Sequence, residues 1–187
     1  AFFGQASTCI ALGTALNATA ASYSRIVGAN DRISLGHIGI GSRGSELDVM
    51  VARLKDKHNL EMTAVCDLWT VNRDRAAGNA EKAYGRRPRV FQNMEELLAL
   101  SDVDAVIVST ADFQHATHLK AVLESGKDAY CEKPMANDLA EAKGLRAAFL
   151  NSKRIVQIGT QHRSEPYQRE TKKVIDSGAL GDITKVE

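Results

Sequence analysis

The 187-residue sequence carries 24 Lys and Arg against 23 Asp and Glu, a net charge of +1, which argues against both a basic nucleic-acid surface and an acidic tail. A hydrophobic share of 44% with 25% charged residues is that of a globular chain, long enough for one domain and part of a second at roughly 100–200 residues each. The three cysteines, Cys9, Cys66 and Cys131, stand far apart in no CxxC or Cys/His pattern, so no disulfide scaffold and no metal site is written in the sequence. No apolar run reaches the roughly 18 residues of a membrane span.

In chain order, Thr8 to Ala21 is small, apolar and uncharged, with Ala18-Thr19-Ala20 as an A-x-A cleavage candidate. It reads as a secretory leader, with residues 1–30 set apart from the fold. Ala1-Phe2-Phe3-Gly4 resembles the residues that follow the arginine pair of a twin-arginine export signal. The expected location is therefore export to the periplasm, or the cytoplasm if the leader reading fails.

From Ile33 onward, short apolar runs alternate with amphipathic stretches. Ile33 to Ile40 is predicted as a buried strand, followed by a helix with Leu47, Met50, Val51 and Leu54 on one face. Leu60 to Cys66 is the second strand, Thr70 to Tyr84 the second helix and Arg89 to Phe91 a short third strand. Asn93 and Glu96 are spaced as a capping box for a helix ending near Leu100. Asp104 to Thr110 is the fourth strand. A helix then opens with Asp112 as its cap and stops at Gly126. Asp128 to Cys131, a helix from Asp138 to Asn151, and Arg154 to Ile158 complete six strands. A last helix is expected from Ser164 to Ser177, and Asp182 to Glu187 alternates as another strand would. The pattern predicts an α/β fold with a doubly wound parallel sheet. Residues 31–160 form its dinucleotide-binding domain, and residues 161–187 a junction helix and the first strand of a second, truncated α/β domain.

Gly39-Ile40-Gly41-Ser42-Arg43-Gly44 is a G-x-G-x-x-G loop between a strand and a helix. Gly39 allows the tight turn, Gly41 lets the backbone approach a pyrophosphate, and Gly44 lets the helix pack closely on the strand. The helix N-terminus then faces the phosphates with free N–H groups. Asp67 closes the second strand at close to the roughly 20-residue spacing of a ribose-binding acid. A carboxylate there accepts from ribose hydroxyls and repels a 2′-phosphate, which favours NAD over NADP. Arg73 and Arg75 lie near enough to blur that preference, or are solvated helix residues. At the far edge, Glu132-Lys133-Pro134 ends the fifth strand, where such sheets bind ligands. Lys133 there can stabilise a developing alkoxide or assist proton transfer, and an X-Pro bond is where a cis peptide costs only about 0.5–1 kcal/mol. We expect Lys133–Pro134 to be cis, with the amine in the cleft beside Gly41 and His115.

Taken together, Gly39 to Gly44, Thr110 with His115, Gly126-Lys127, Glu132-Lys133-Pro134 and Gly159-Thr160-Gln161 resemble the Gfo/Idh/MocA oxidoreductase family, over Ile33 to Glu187. The resemblance implies an NAD(P)-binding Rossmann domain followed by a larger sheet domain that binds a sugar or polyol. It implies Lys133 as catalytic lysine, His115 beside the nicotinamide, and cofactor contacts from Gly39, Gly41, Ser42, Arg43, Gly44, Asp67, Thr110, Glu132, Lys133 and Gln161. It gives His118 no role, which makes it a helix-surface residue. Ala111 stands where the family has proline, and the family's catalytic Asp and His belong to the second domain, beyond Glu187. The implied function is NAD-dependent hydride transfer to or from a sugar-like substrate in a homo-oligomer assembled through that second domain. Two alternatives are an NAD-dependent glycoside hydrolase of the same family and a cofactor-binding protein without catalysis.

Overall fold

The computed structural model describes residues 32–185; the expected leader, with its cleavage candidate, lies outside them. Six parallel strands form one sheet in the order β3-β2-β1-β4-β5-β6. They are β1 (Ile33–Ile38), β2 (Leu60–Cys66), β3 (Arg89–Phe91), β4 (Ala105–Val108), β5 (Asp128–Glu132) and β6 (Val156–Gly159). The helices between them are α1 (Ser42–His58), α2 (Thr70–Tyr84), α3 (Met94–Leu98), α4 (His115–Glu124) and α5 (Leu139–Ser152), and α6 (Pro166–Asp176) follows the last strand. This is the doubly wound Rossmann order, with its switch point between β1 and β4. No helix among the described residues is long and apolar enough to cross a membrane.

The strand period of two sorts the core onto two faces. Ile38, Val106, Val108 and Cys131 pack with Leu119, Val122 and Leu145 under α4 and α5. Leu35, Val65 and Ile107 pack with Leu47, Ala76 and Ala77 under α1 and α2. The inward stripe of α1 differs from the expected one: Gly44 and Leu47 are buried and Val51 half-buried, whereas Met50 and Leu54 are 49% and 45% exposed. Gly44 must face the strand, and that rotates the helix away from the hydrophobic reading.

Element ends differ where local chemistry intervenes. Strand β1 stops at Ile38 because Gly39 turns the chain at φ +84°. Asp112 caps no helix; it opens a 3₁₀ turn closed by Gln114 N–H to the Ala111 carbonyl (2.8 Å), and α4 starts at His115. The Asn93 and Glu96 side chains bond to each other at 2.8 Å instead of to backbone. Asp138, by contrast, accepts from Glu141 N–H as a cap does. Residues 182–185 form no strand, since an alternating segment needs a partner edge to become one. Residues 161–185, with α6, are exposed throughout.

Cys66 and Cys131 are free and buried. Burial first, then the nearby Asp67 and Glu132 carboxylates respectively, push both thiols from 9.0 up to about 12. We expect both to resist thiol reagents in the folded protein at pH 8 and to react once it unfolds. Because the folded thiols hold protons that the unfolded chain releases, their contribution to stability is complete below pH 9.0 and is lost as pH climbs towards about 12. Ellman titration with and without denaturant checks the first point, and alkaline melting curves the second.

Candidate functional site

At the switch point the carboxyl ends of β1, β2 and β4 open into a cleft of about 580 Å³. Gly39, Gly41, Ser42, Arg43, Asp67 and Thr110 line it, so six of the expected site residues converge there. Each glycine of the loop meets a different surrounding. A Cβ on Gly39 would lie 2.6 Å from Thr110 Cγ2, and one on Gly44 would lie 2.6 Å from the Gly39 carbonyl oxygen. A Cβ on Gly41 would meet nothing within 4 Å among the described residues. Helix α1 begins beside it with no side-chain cap and no acidic residue in its first turn. Its first N–H groups and the positive end of its dipole therefore remain available to an anion.

Asp67, half-buried at the end of β2, holds this loop in shape. Its Oδ2 accepts from Ile40 N–H (2.7 Å) and Asn72 Nδ2 (3.1 Å), and its Oδ1 accepts from Trp69 N–H (2.8 Å). With about four acceptor positions on a carboxylate, one remains for a ligand hydroxyl. Arg73 and Arg75 are not merely solvated helix residues. Arg73 donates to the carbonyls of Asp67 and Leu68, and Arg75 to the carbonyl of Ile40 and the hydroxyl of Ser45.

The Glu-Lys-Pro segment divides its roles. Glu132 is buried and accepts from Arg43 Nε at 2.7 Å and from the Tyr130 hydroxyl at 3.2 Å, which ties the end of β5 to the glycine loop. That bond holds the Arg43 guanidinium still more firmly protonated. Gly159, opposite Glu132 on β6, leaves the space that the Tyr130 hydroxyl fills. Lys133 is exposed, lies outside the cleft lining, and its amine has no hydrogen-bond or ion-pair partner among the described residues. The Lys133–Pro134 bond is cis, as expected from the sequence, but the expected place of the amine in the cleft beside Gly41 is corrected: Lys133 follows the inward-turned Glu132 and is exposed, outside the cleft lining.

His115 is 1% exposed, with Nδ1 at 2.7 Å from the Pro134 carbonyl and Nε2 at 3.1 Å from the Thr110 carbonyl. It bridges the turns after β4 and β5 and does not line the cleft. His118 does line it, half-buried, with Nδ1 at 3.0 Å from Thr110 Oγ1. Burial and then His115 lower its affinity for a proton. The helix-surface assignment of His118 is thus corrected: three positions after His115, it shares that residue's helix face. Ala111 also lines the cleft, at φ −67°, an angle a proline would adopt. Gln161 is exposed and outside the lining. Lys127 of the Gly-Lys pair is a structural residue, its buried amine donating to the Leu100 and Val103 carbonyls.

A glycine-rich turn, an uncapped helix start and an acid at the end of the next strand define a dinucleotide-binding α/β domain. Residues 33–160 match the oxidoreductase family with NAD-binding Rossmann fold, and the chain belongs to this Gfo/Idh/MocA family. It is 32% identical over 150 residues to inositol 2-dehydrogenase 3 of Saccharopolyspora erythraea, covering 80% of this chain and 42% of that protein. It is also 32% identical over 154 residues to an inositol 2-dehydrogenase of Salmonella typhimurium, covering 80% and 43%. The chain thus spans less than half the length of these relatives. Among solved structures it is similar to the scyllo-inositol dehydrogenase of Lactobacillus casei with bound NAD(H) and scyllo-inositol, with a TM-score of 0.72 at 23% identity, covering 82% of this chain and 43% of that one. A 3-ketoreductase of Actinomadura kijaniata in complex with TDP-benzene and NADP gives a TM-score of 0.69 at 24% identity, covering 81% and 44%. At these identities the structural likeness speaks for the fold alone.

Proposed function

We propose that this chain is the cofactor half of an NAD-dependent oxidoreductase acting on a polyol or related sugar. Residues 31–160 form the cofactor domain, and residues 161–187 lead into a substrate domain. The observation that carries the reading is Gly41, a glycine whose missing side chain opens onto the cleft and meets none of the described residues. The N–H groups of Ser42, Arg43 and Gly44 would hold the pyrophosphate with the α1 dipole behind them. Asp67 would take a ribose hydroxyl with its remaining acceptor position. Thr110 and His118 would form part of the wall of the same cleft as Asp67, with His115 fixing the turn beneath them. Bound there, the cofactor supplies or accepts the hydride. Lys133, its amine unpartnered at the carboxyl edge of the sheet, would hold the substrate oxygen and stabilise charge developing on it. The inositol dehydrogenases among the relatives support a polyol substrate.

The same geometry favours NAD over NADP. Asp67 presents negative charge where a 2′-phosphate would sit, and Arg73 and Arg75 are committed to carbonyl oxygens. We expect NAD to bind at least about tenfold more tightly than NADP, a difference of about 1.4 kcal/mol, and Asp67→Ser to narrow the gap. Calorimetric titration of both nucleotides tests this; equal affinities in the unaltered protein would contradict it.

A further inference from the structure

We propose that His37 is a positioning residue for the cleft, acting through Ser109 on the peptide that joins Gly39 to Ile40. Its readout on nucleotide affinity rests on the function proposed above; its readout on the loop itself does not.

His37 stands in β1 at an inward position shared with Leu35, and its side chain is fully buried. A polar ring costs stability there unless both nitrogens are satisfied. Both are. Nδ1 lies 2.7 Å from Asp48 Oδ1 on α1, and Nε2 lies 2.7 Å from Ser109 Oγ just after β4. The Ser109 hydroxyl donates to the Gly39 carbonyl at 2.7 Å. Its single proton is spent in that bond, so it accepts from His37, and Nε2 carries a hydrogen. The three residue types are those of an acyl-transfer triad, but the direction of donation is wrong for one. A serine that accepts from the imidazole has no base to take its proton, so this relay positions.

What it positions is one peptide plane. The C=O of Gly39 is held by Ser109, and the N–H of Ile40, in the same peptide, is held by Asp67 Oδ2. Pinned from both sides, that peptide fixes how Gly41 and the start of α1 face the cleft. Gly44 belongs to the same arrangement. A Cβ there would lie 2.6 Å from the Gly39 carbonyl oxygen, 2.8 Å from Ser109 Oγ and 3.3 Å from His37 Cε1. The glycine admits the relay beneath the helix. Three elements that contribute different parts of the cleft, β1, α1 and β4, are thereby joined at one ring.

The test combines NAD titration with hydrogen exchange at residues 39–42. Ser109→Ala is expected to weaken NAD binding roughly tenfold and to speed loop exchange by a similar factor, with the strands beyond the cleft unchanged. Asp48→Asn is expected to rescue, because its amide can donate to Nδ1 of a neutral ring whose Nε2–H still reaches Ser109. Asp48→Leu, of similar volume with no polar group, is expected to match Ser109→Ala. Unchanged loop exchange in Ser109→Ala overturns the proposal, as does equal loss in Asp48→Asn and Asp48→Leu. If the leucine variant does not fold, Ser109→Ala decides alone. Faster loop exchange in a protein that binds no NAD would uphold the relay and remove the cofactor reading instead.

Discussion

Replacing Gly41 by valine is expected to abolish NAD binding while leaving the domain folded. The three glycines of the loop look equivalent in the sequence and are not equivalent in space. Gly39 sits at φ +84° against Thr110, and Gly44 lies against the Gly39 carbonyl, so the chain itself requires both. Gly41 has φ −71°, open to any residue, and a Cβ there would touch nothing within 4 Å among the described residues. The need for glycine at that position comes from what occupies the cleft. A valine side chain would stand between the α1 N–H groups and a pyrophosphate. The expected loss is about 100-fold or more, about 2.7 kcal/mol, with stability within about 0.5 kcal/mol of the original. Titration paired with a thermal melt checks it, and normal binding by the variant would sink the assignment of the loop.

The second large effect is on stability. The Glu132 side chain is 4% exposed, and Arg43 is its cationic partner. Arg43→Ala would leave a buried carboxylate with only the Tyr130 hydroxyl and the Lys133 N–H. Breaking such a pair from one side costs about 3 kcal/mol, which for a chain of this size lowers Tm by about 6–12 °C. Adding Glu132→Gln should recover part of that loss, because the neutral amide needs no counter-charge. A double-mutant cycle measures the coupling; strictly additive losses would mean that the contact contributes nothing specific.

The hydrophobic period was enough to place every strand of the sheet and the helices between them. The bounds Thr70–Tyr84 and Arg89–Phe91 follow from it directly, because glycine, proline and charged residues flank those runs. Direction was harder to read. Glu132, Lys133 and Pro134 are adjacent letters, yet the glutamate turns inward to Arg43 while the lysine is exposed, and no motif string carries that. His115 and His118 exchange their expected prominence for a similar reason: which one lines the cleft depends on α4 starting after a 3₁₀ turn. His37 left a signal that composition alone obscures. A histidine inside a buried apolar strand demands partners on both nitrogens, and Asp48 and Ser109 are distant in sequence.

On the proposed function, the cleft between β1, β2 and β4 holds NAD through the glycine loop. The most direct measurement is an NMR titration of the isotope-labelled chain with NAD, following backbone amides. The largest shifts are expected at Gly41, Ser42 and Arg43, with Asp67 and Thr110 next. Shifts gathered instead around the cavity between α1 and α2, lined by Val49, Ala52 and Tyr84, or no shift at saturating NAD, would contradict it.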